Sequence, residues 1–477
     1  MTKKRKTPVV GDASEEFSDA ALGDPRRNER LARIVAAVQA NPGASLPTIA
    51  GGEGALEGTY RFFRNEHVSA AEILAAHARR SAERAGEVDA VLVAHDSTEF
   101  NFGEFRTELG RAGRGLSKGF YGHFSLAVTA DKEHFPLGVV AQESIFRDRV
   151  RNRSKTQDQR QFDPANESLR WGRGKDRAEK VLDRKRPIHL MDREADHFLL
   201  LAEMMHEGSR FVVRMSEDRV LAEGSETHTA REALEIVEPA AWREVKLSAR
   251  RRNSLPTYRK NFPERDERTS LLEFSATRVT LRRPHSSRHS PHKTVTLNLV
   301  HVREVDPPEG EKPVEWRLWT SLPVDTEKQI EAVVDHYRAR WIIEEFFKAL
   351  KTGCDFESRQ LRSREALLKA LAVFTAVAWR MLALRTAARA TPTKPASLLL
   401  TILQLHCLAR LLAKRNVVFP KNPTARDALL GVAKLGGHQK NNGDPGWQLI
   451  GRGFDKLLSV EDAYETFLDD FLTHGKM

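Results

Sequence analysis

Three acidic residues far apart in the chain, Asp96, Asp192 and Glu344, stand where carboxylates can do metal-assisted chemistry. Residues 88–94 (VDAVLVA) form a short apolar run bounded by charge, read as a buried strand ending at His95-Asp96. Residues 187–191 (PIHLM) read as a second strand ending at Asp192. Ligands of open α/β sheets gather just beyond such strand ends. A single Asp there commonly caps a turn. Two on strands that can be neighbours make a carboxylate pair, and their mutual repulsion asks for a cation between them.

The third carboxylate belongs to a helix predicted from 327 to about 352. At about 100° per residue, Tyr337, Arg340, Glu344, Lys348 and Lys351 share a narrow arc. Ile342, Ile343, Phe346 and Leu350 lie roughly opposite. One reading is a solvated face with i,i+4 pairs. The other is a phosphodiester site, which needs a carboxylate for metal and cations for phosphate oxygens. His95 and Glu345 are acidic or imidazole neighbours of the trio. His95 reads as structural, and Glu345 points about 100° away from Glu344 around the helix.

The elements that must position these groups form an α/β pattern. Residues 1–72 read as short helices in which Leu31, Ile34, Val35 and Val38 make a core face and arginines lie elsewhere. Residues 73–215 follow, with strands at 88–94, 124–130, 136–142, 187–191 and 210–215 and helices near 177–182 and 195–207. Residues 216–328 alternate apolar and polar residues, an all-strand insertion with basic connections at 249–268 and 281–293. Residues 329–388 carry the Glu344 helix, and 389–477 read as helical with breaks at Pro392, Pro395, Pro420 and Pro423.

The 477 residues are ample for several domains, and the formal charge of +11 favours a polyanion partner, nucleic acid before membrane surface. Cys354 and Cys407 are too few and too far apart for a disulfide scaffold or a thiolate zinc site, which fits a reducing compartment. The basic N-terminus has no apolar signal-peptide core. The most apolar stretch, near 366–384, is interrupted by Lys369 and Arg380, so no membrane span is expected and the protein is expected in the cytoplasm.

D-S-T at 96–98, D-R-E-A-D at 192–196 and the spaced Tyr337, Arg340, Glu344 and Lys351 resemble the DDE transposases of the insertion-sequence-four group. AALGDPRR at 20–27, YRFFRN at 60–65, RFVVR at 210–214, the W-x-L-x-T-S-x-P-V pattern around 316–324 and KLGG at 434–437 extend the likeness along most of the chain. The resemblance implies a ribonuclease-H-like mixed sheet core with an all-β insertion, flanked by a helical N-terminal DNA-binding domain and a helical C-terminal dimerisation domain. It implies that Asp96, Asp192 and Glu344 ligate two divalent ions, Mg²⁺ or Mn²⁺, for cut-and-paste transposition through a hairpin intermediate. It further implies that Tyr337, Arg340, Lys351 and Arg214 contact phosphates near the scissile strand. Trp316 would stack on a flipped base, although a strand tryptophan packed inward is the plainer reading of that residue alone. Arg26, Arg27, Arg30 and Arg61 would contact double-stranded DNA at the element ends, and a homodimer would bring two ends together. Two other classes remain open: a catalytically inactive DNA-binding regulator, and another metal-dependent nuclease on the same core.

Overall fold

A computed structural model describes residues 15–104, 106, 108–112, 117–147, 163, 166–250, 263–288, 290–439 and 444–474 of the protein. Most of the 249–268 connection lies outside the described residues. Along the chain, α1 (Pro25–Ala40), α2 (Leu46–Ala50), α3 (Glu53–Arg64) and α4 (Ala70–Gly86) precede β1 (Val91–Asn101), β2 (Gly110–Arg111), β3 (Lys118–Thr129) and β4 (Pro136–Ile145). Next come α5 (Arg170–Leu182), β5 (Ile188–Met191), α6 (Phe198–His206), β6 (Arg210–Arg214) and α7 (Ala230–Glu235). Four strands follow: β7 (Ala241–Leu247), β8 (Arg268–Arg282), β9 (Thr294–Glu304) and β10 (Glu315–Thr320). The chain ends in α8 (Glu327–Ala339), α9 (Ile342–Lys348), α10 (Arg364–Ala390), α11 (Ile402–Ala413), α12 (Ala425–Leu435) and α13 (Trp447–His474). The expected mixed α/β class, helical at both ends, is borne out.

The chain divides into two compact units. The first contains residues 1–153, 174–185 and 341–477. In it β3 lies between β1 and β4, antiparallel to both. α10 is its central helix, with Leu371, Val373, Phe374, Val377 and Trp379 all buried. An 18-residue window of α10 is apolar enough to cross a membrane, which corrects the expectation that no stretch reaches that length; 94% of that window is packed inside the protein. The two interrupting charges are buried with it, and Lys369 donates to the carbonyls of Phe63 (3.1 Å) and Asn65 (2.7 Å) at the end of α3. A cation there complements the negative end of a helix.

The N-terminal helices are pinned by charge as well as by the Leu31, Ile34, Val35 and Val38 face, which is buried as expected. Glu16 is buried and accepts from both guanidinium nitrogens of Arg84 and from His77 Nδ1 at 2.8 Å. The Val139 amide donates to His77 Nε2 at 3.0 Å, so Nδ1 carries the proton and the imidazole is neutral. The Arg84 guanidinium also lies 4.0 Å from the Trp379 ring.

The second unit contains residues 154–173 and 186–340. β5 and β6 pair in parallel, and β6, β10, β9, β8 and β7 continue edge to edge as antiparallel neighbours. Thus the strands expected as an insertion extend the β5–β6 sheet within this unit. Its core gathers Trp171, Phe198, Phe211, Leu281, Leu299 and Trp319. The 216–328 stretch is not all strand, because α7 starts at a capping box in which Thr229 and Glu232 satisfy each other's backbone amides.

The helix expected unbroken from 327 to 352 is interrupted. α8 stops at Ala339, a turn occupies Arg340 and Trp341, α9 resumes at Ile342, and a π-helix spans Ala349–Gly353. The single 100° arc through Tyr337, Arg340, Glu344 and Lys351 is therefore not continuous.

Candidate active site

In the first unit Asp96 lies within β1, not beyond its end. The ladder to β3 runs on through Asn101, while full burial stops at His95. The polar residues Asp96, Ser97, Thr98 and Glu99 hide the strand's continuation, because their side chains are half-buried although their backbone stays paired. Asp96 faces Phe124 across the ladder, and directly paired residues share a sheet face. Phe124 packs edge-on against Phe346 at 5.5 Å and Phe347 at 5.6 Å. Those two phenylalanines stand two and three residues after Glu344, so α9 is docked on the Asp96 face of the sheet. Asp96 Oδ1 accepts from the Ser97 amide at 2.7 Å, which fixes the carboxylate's orientation.

Lys351 secures the same region. Its ammonium donates to the Glu99 carbonyl of β1 and lies 3.8 Å from the Glu357 carboxylate. Glu345 is occupied differently: it pairs with Lys348 at 2.7 Å and with Arg385. Those contacts give it a structural role.

The opposite face of β1 is a stack of imidazoles and hydroxyls. His95 Nδ1 and Ser125 Oγ are 2.9 Å apart, His123 Nδ1 and Ser97 Oγ 3.0 Å, and the two rings stack at 6.1 Å. α5 crosses here at Gly174, where a Cβ would sit 3.0 Å from His123 Nε2 and 3.3 Å from His95 Nδ1. Only a residue without a side chain lets the helix approach so closely. His95 is thus a structural residue facing away from Asp96.

In the second unit Asp192 does stand just past β5, as expected. It caps the short 3₁₀ turn Arg193–Ala195, with Oδ1 accepting from the Glu194 amide at 2.8 Å. In the same unit Tyr337 has Arg340, Arg214 and Asp192 as its charged neighbours. The Tyr337 phenol is pushed up chiefly by burial, against the pull of the Arg340 and Arg214 charges and a hydrogen bond to Arg340, and Asp192 adds to the rise. It therefore stays protonated at neutral pH. Tyr337 is buried, and Trp316 of β10 packs edge-on against it at 5.4 Å. Trp316 itself is half-buried opposite Val302.

Sequence reasoning missed Asp196, the second Asp of the D-R-E-A-D run. Its buried carboxylate accepts from the amides of Ser216 (2.7 Å) and Glu217 (3.2 Å), from Arg219 (2.6 Å) and from the indole of Trp319 (3.2 Å). It clamps the chain that follows β6. No spacing signal separates this anchor from Asp192; only burial does.

Of the N-terminal arginines, Arg26 pairs with its helix-capping Asp24 at 3.0 Å, and Arg61 pairs with Glu57 at 2.7 Å. Both guanidiniums are largely exposed, and exposed pairs are weak enough to be exchanged for phosphate. Arg27 donates to the Leu22 carbonyl at 2.8 Å. The Arg30 guanidinium lies across Gly58 of α3, 2.8 Å from where a Cβ would be.

All three candidate ligands are carboxylates, the hard oxygen donors that Mg²⁺ and Mn²⁺ prefer, so the donor set fits a divalent ion. Among the described residues no three His, Cys, Asp or Glu side chains are gathered closely enough to hold one. Two family models match the chain: a transposase DNA-binding model over residues 12–68, and a transposase DDE domain model over residues 88–379.

Proposed function

Because the chain belongs to the DDE transposases, enzymes that act on DNA with divalent metal ions, we propose that Asp96, Asp192 and Glu344 are its metal-holding catalytic residues. One observation carries this reading: the helix bearing Glu344 is docked, through Phe346 and Phe347, on the face of β1 that presents Asp96. Asp192 brings its own DNA-handling neighbours. Arg340 and Arg214 supply charge for phosphate oxygens, and the Tyr337 phenol, held neutral, donates a hydrogen bond. When bound, a divalent ion activates the attacking oxygen and compensates charge on the leaving one. The protein's own contribution is positioning and charge compensation, as is usual in phosphoryl transfer.

The finer reading is a Mg²⁺-dependent cut-and-paste transposase of the insertion-sequence-four group. It acts in the cytoplasm as a homodimer assembled through its C-terminal helices. Arg26, Arg27, Arg30 and Arg61 grip the element ends, Lys351 contacts phosphate near the scissile strand, and Trp316 holds a flipped base. The test is cleavage of a duplex carrying the element's ends in Mg²⁺ or Mn²⁺. Asp96→Ala, Asp192→Ala and Glu344→Ala should each abolish cleavage and leave end binding intact. Wild-type-like cleavage by any of them removes that residue from the site. A wild-type protein that binds the ends without cutting them under either ion points to the inactive regulator.

A further inference from the structure

The β8–β9 hairpin carries an arginine-rich face outside the segment matched as DNA-binding. From residue 274 to residue 303 there is no Asp or Glu, while five arginines and Lys293 occur. With 66 acidic residues in 477, a stretch of this length would ordinarily hold about four. The charge is sorted by face. Val279, Leu281, Val295 and Leu297 point into the unit's core. The alternate positions pair across the hairpin as Arg278 with Asn298, Thr280 with Thr296, and Arg282 with Thr294. Arg278, Arg282 and Thr294 are exposed, and the Thr280 and Thr296 hydroxyls are 2.9 Å apart.

At the hairpin's tip Arg283 donates to the Ser290 carbonyl at 2.6 Å and a 3₁₀ turn spans His285–Ser287. Its outward face therefore presents a row of guanidinium and hydroxyl groups, while the Asn298 amide donates to the Leu322 carbonyl at 2.7 Å. Arg278 and Arg282 are four residues apart on one strand, about 13 Å along it. The major groove of B-form DNA is about 12 Å wide and admits a two-stranded β-ribbon. We propose that this face of the β8–β9 hairpin is a second contact surface for duplex DNA, with Arg278 and Arg282 on phosphates at either side of the groove. The surface fits backbone phosphates of an element end or of unrelated DNA equally well, so its source is left to the experiment.

The proposal rests on the protein binding DNA at all, and the experiment separates the two. The full-length wild type, Arg278→Gln/Arg282→Gln and Arg278→Lys/Arg282→Lys are titrated with an end duplex, an unrelated duplex of equal length and a single-stranded RNA, from about 50 to about 200 mM salt. Each lost phosphate contact removes about 0.9 from the slope of log affinity against log salt. Two lost contacts flatten the slope by about 1.8, so the wild type's advantage over the Gln pair should shrink about twelvefold across that range. The Lys pair should keep the wild-type slope. Loss on both duplexes assigns the surface to backbone common to all DNA, and loss on the end duplex alone assigns it to end recognition. An unchanged slope on both duplexes, or loss confined to RNA, overturns the proposal. A wild type that binds neither duplex overturns the underlying functional reading instead.

Discussion

Replacing Glu16 by Gln tests how the N-terminal segment is held to the rest of its unit. Burial alone would raise this carboxyl, but the His77 hydrogen bond and the pull of His77 and Arg84 hold it at about 2, against an ordinary 4.5. At about 1.4 kcal/mol per pH unit, that depression corresponds to about 3.4 kcal/mol of stability at neutral pH. The figure is an upper bound, since burial keeps His77 neutral and its share is a hydrogen bond without full charge. A carboxylate whose folded value is depressed stabilises above its unfolded value and loses that contribution as pH falls toward its folded one. The wild-type advantage over Glu16→Gln should therefore be full above about pH 6. It should narrow by about 0.8 kcal/mol at pH 4 and about 1.4 kcal/mol at pH 3.5. His77, neutral when folded, weakens both proteins below about pH 6.5 and in the same sense. Urea unfolding followed by tryptophan fluorescence is well suited, because Trp379 lies against both Arg84 and His77. A gap that stays constant from pH 7 to pH 3.5, or is below about 1 kcal/mol at pH 7, refutes the reasoning.

Asp196→Ala should cost about 3–5 kcal/mol in urea unfolding, since it strands the Arg219 charge in a protein interior. Asp192→Ala should cost only the ~0.5–2 kcal/mol of a lost cap, so equal effects would mean the two Asp residues are not divided into anchor and ligand. Gly174→Val forces a branched side chain against His95 and His123 and should lower stability by about 1–3 kcal/mol in a thermal melt; an unchanged melt would show that α5 can move away freely.

Much of this was legible because burial and periodicity are local properties. The apolar runs before Asp96 and Asp192 announced β1 and β5, and the 3.6-residue spacing of Leu31, Ile34, Val35 and Val38 announced the buried face of α1. What escaped depends on partners distant in sequence. β1 runs five residues past Asp96 because β3 pairs with it, although those residues are mostly polar. Neither Pro nor Gly marks the turn at Arg340 and Trp341, so nothing in the sequence signals the end of α8. The shared arc leaves Tyr337 facing solvent in one of its two readings, whereas Tyr337 is buried and Trp316 packs edge-on against it. Lys351 is read as a surface cation until the Glu99 carbonyl is seen to accept from it.

The placement of Asp96 inside a fully paired strand also limits how this protein can be remodelled. A strand's two faces alternate residue by residue, so inserting or deleting one residue early in β1 turns every following side chain over. An imidazole or a serine would then stand where the carboxylate does, and Asp96 would be driven toward Gly174. Tags, permuted termini and spliced segments should therefore spare the stretch from 91 to 101. Exposed turns away from β1, such as the one at Asp306 to Gly310, offer far safer points of entry.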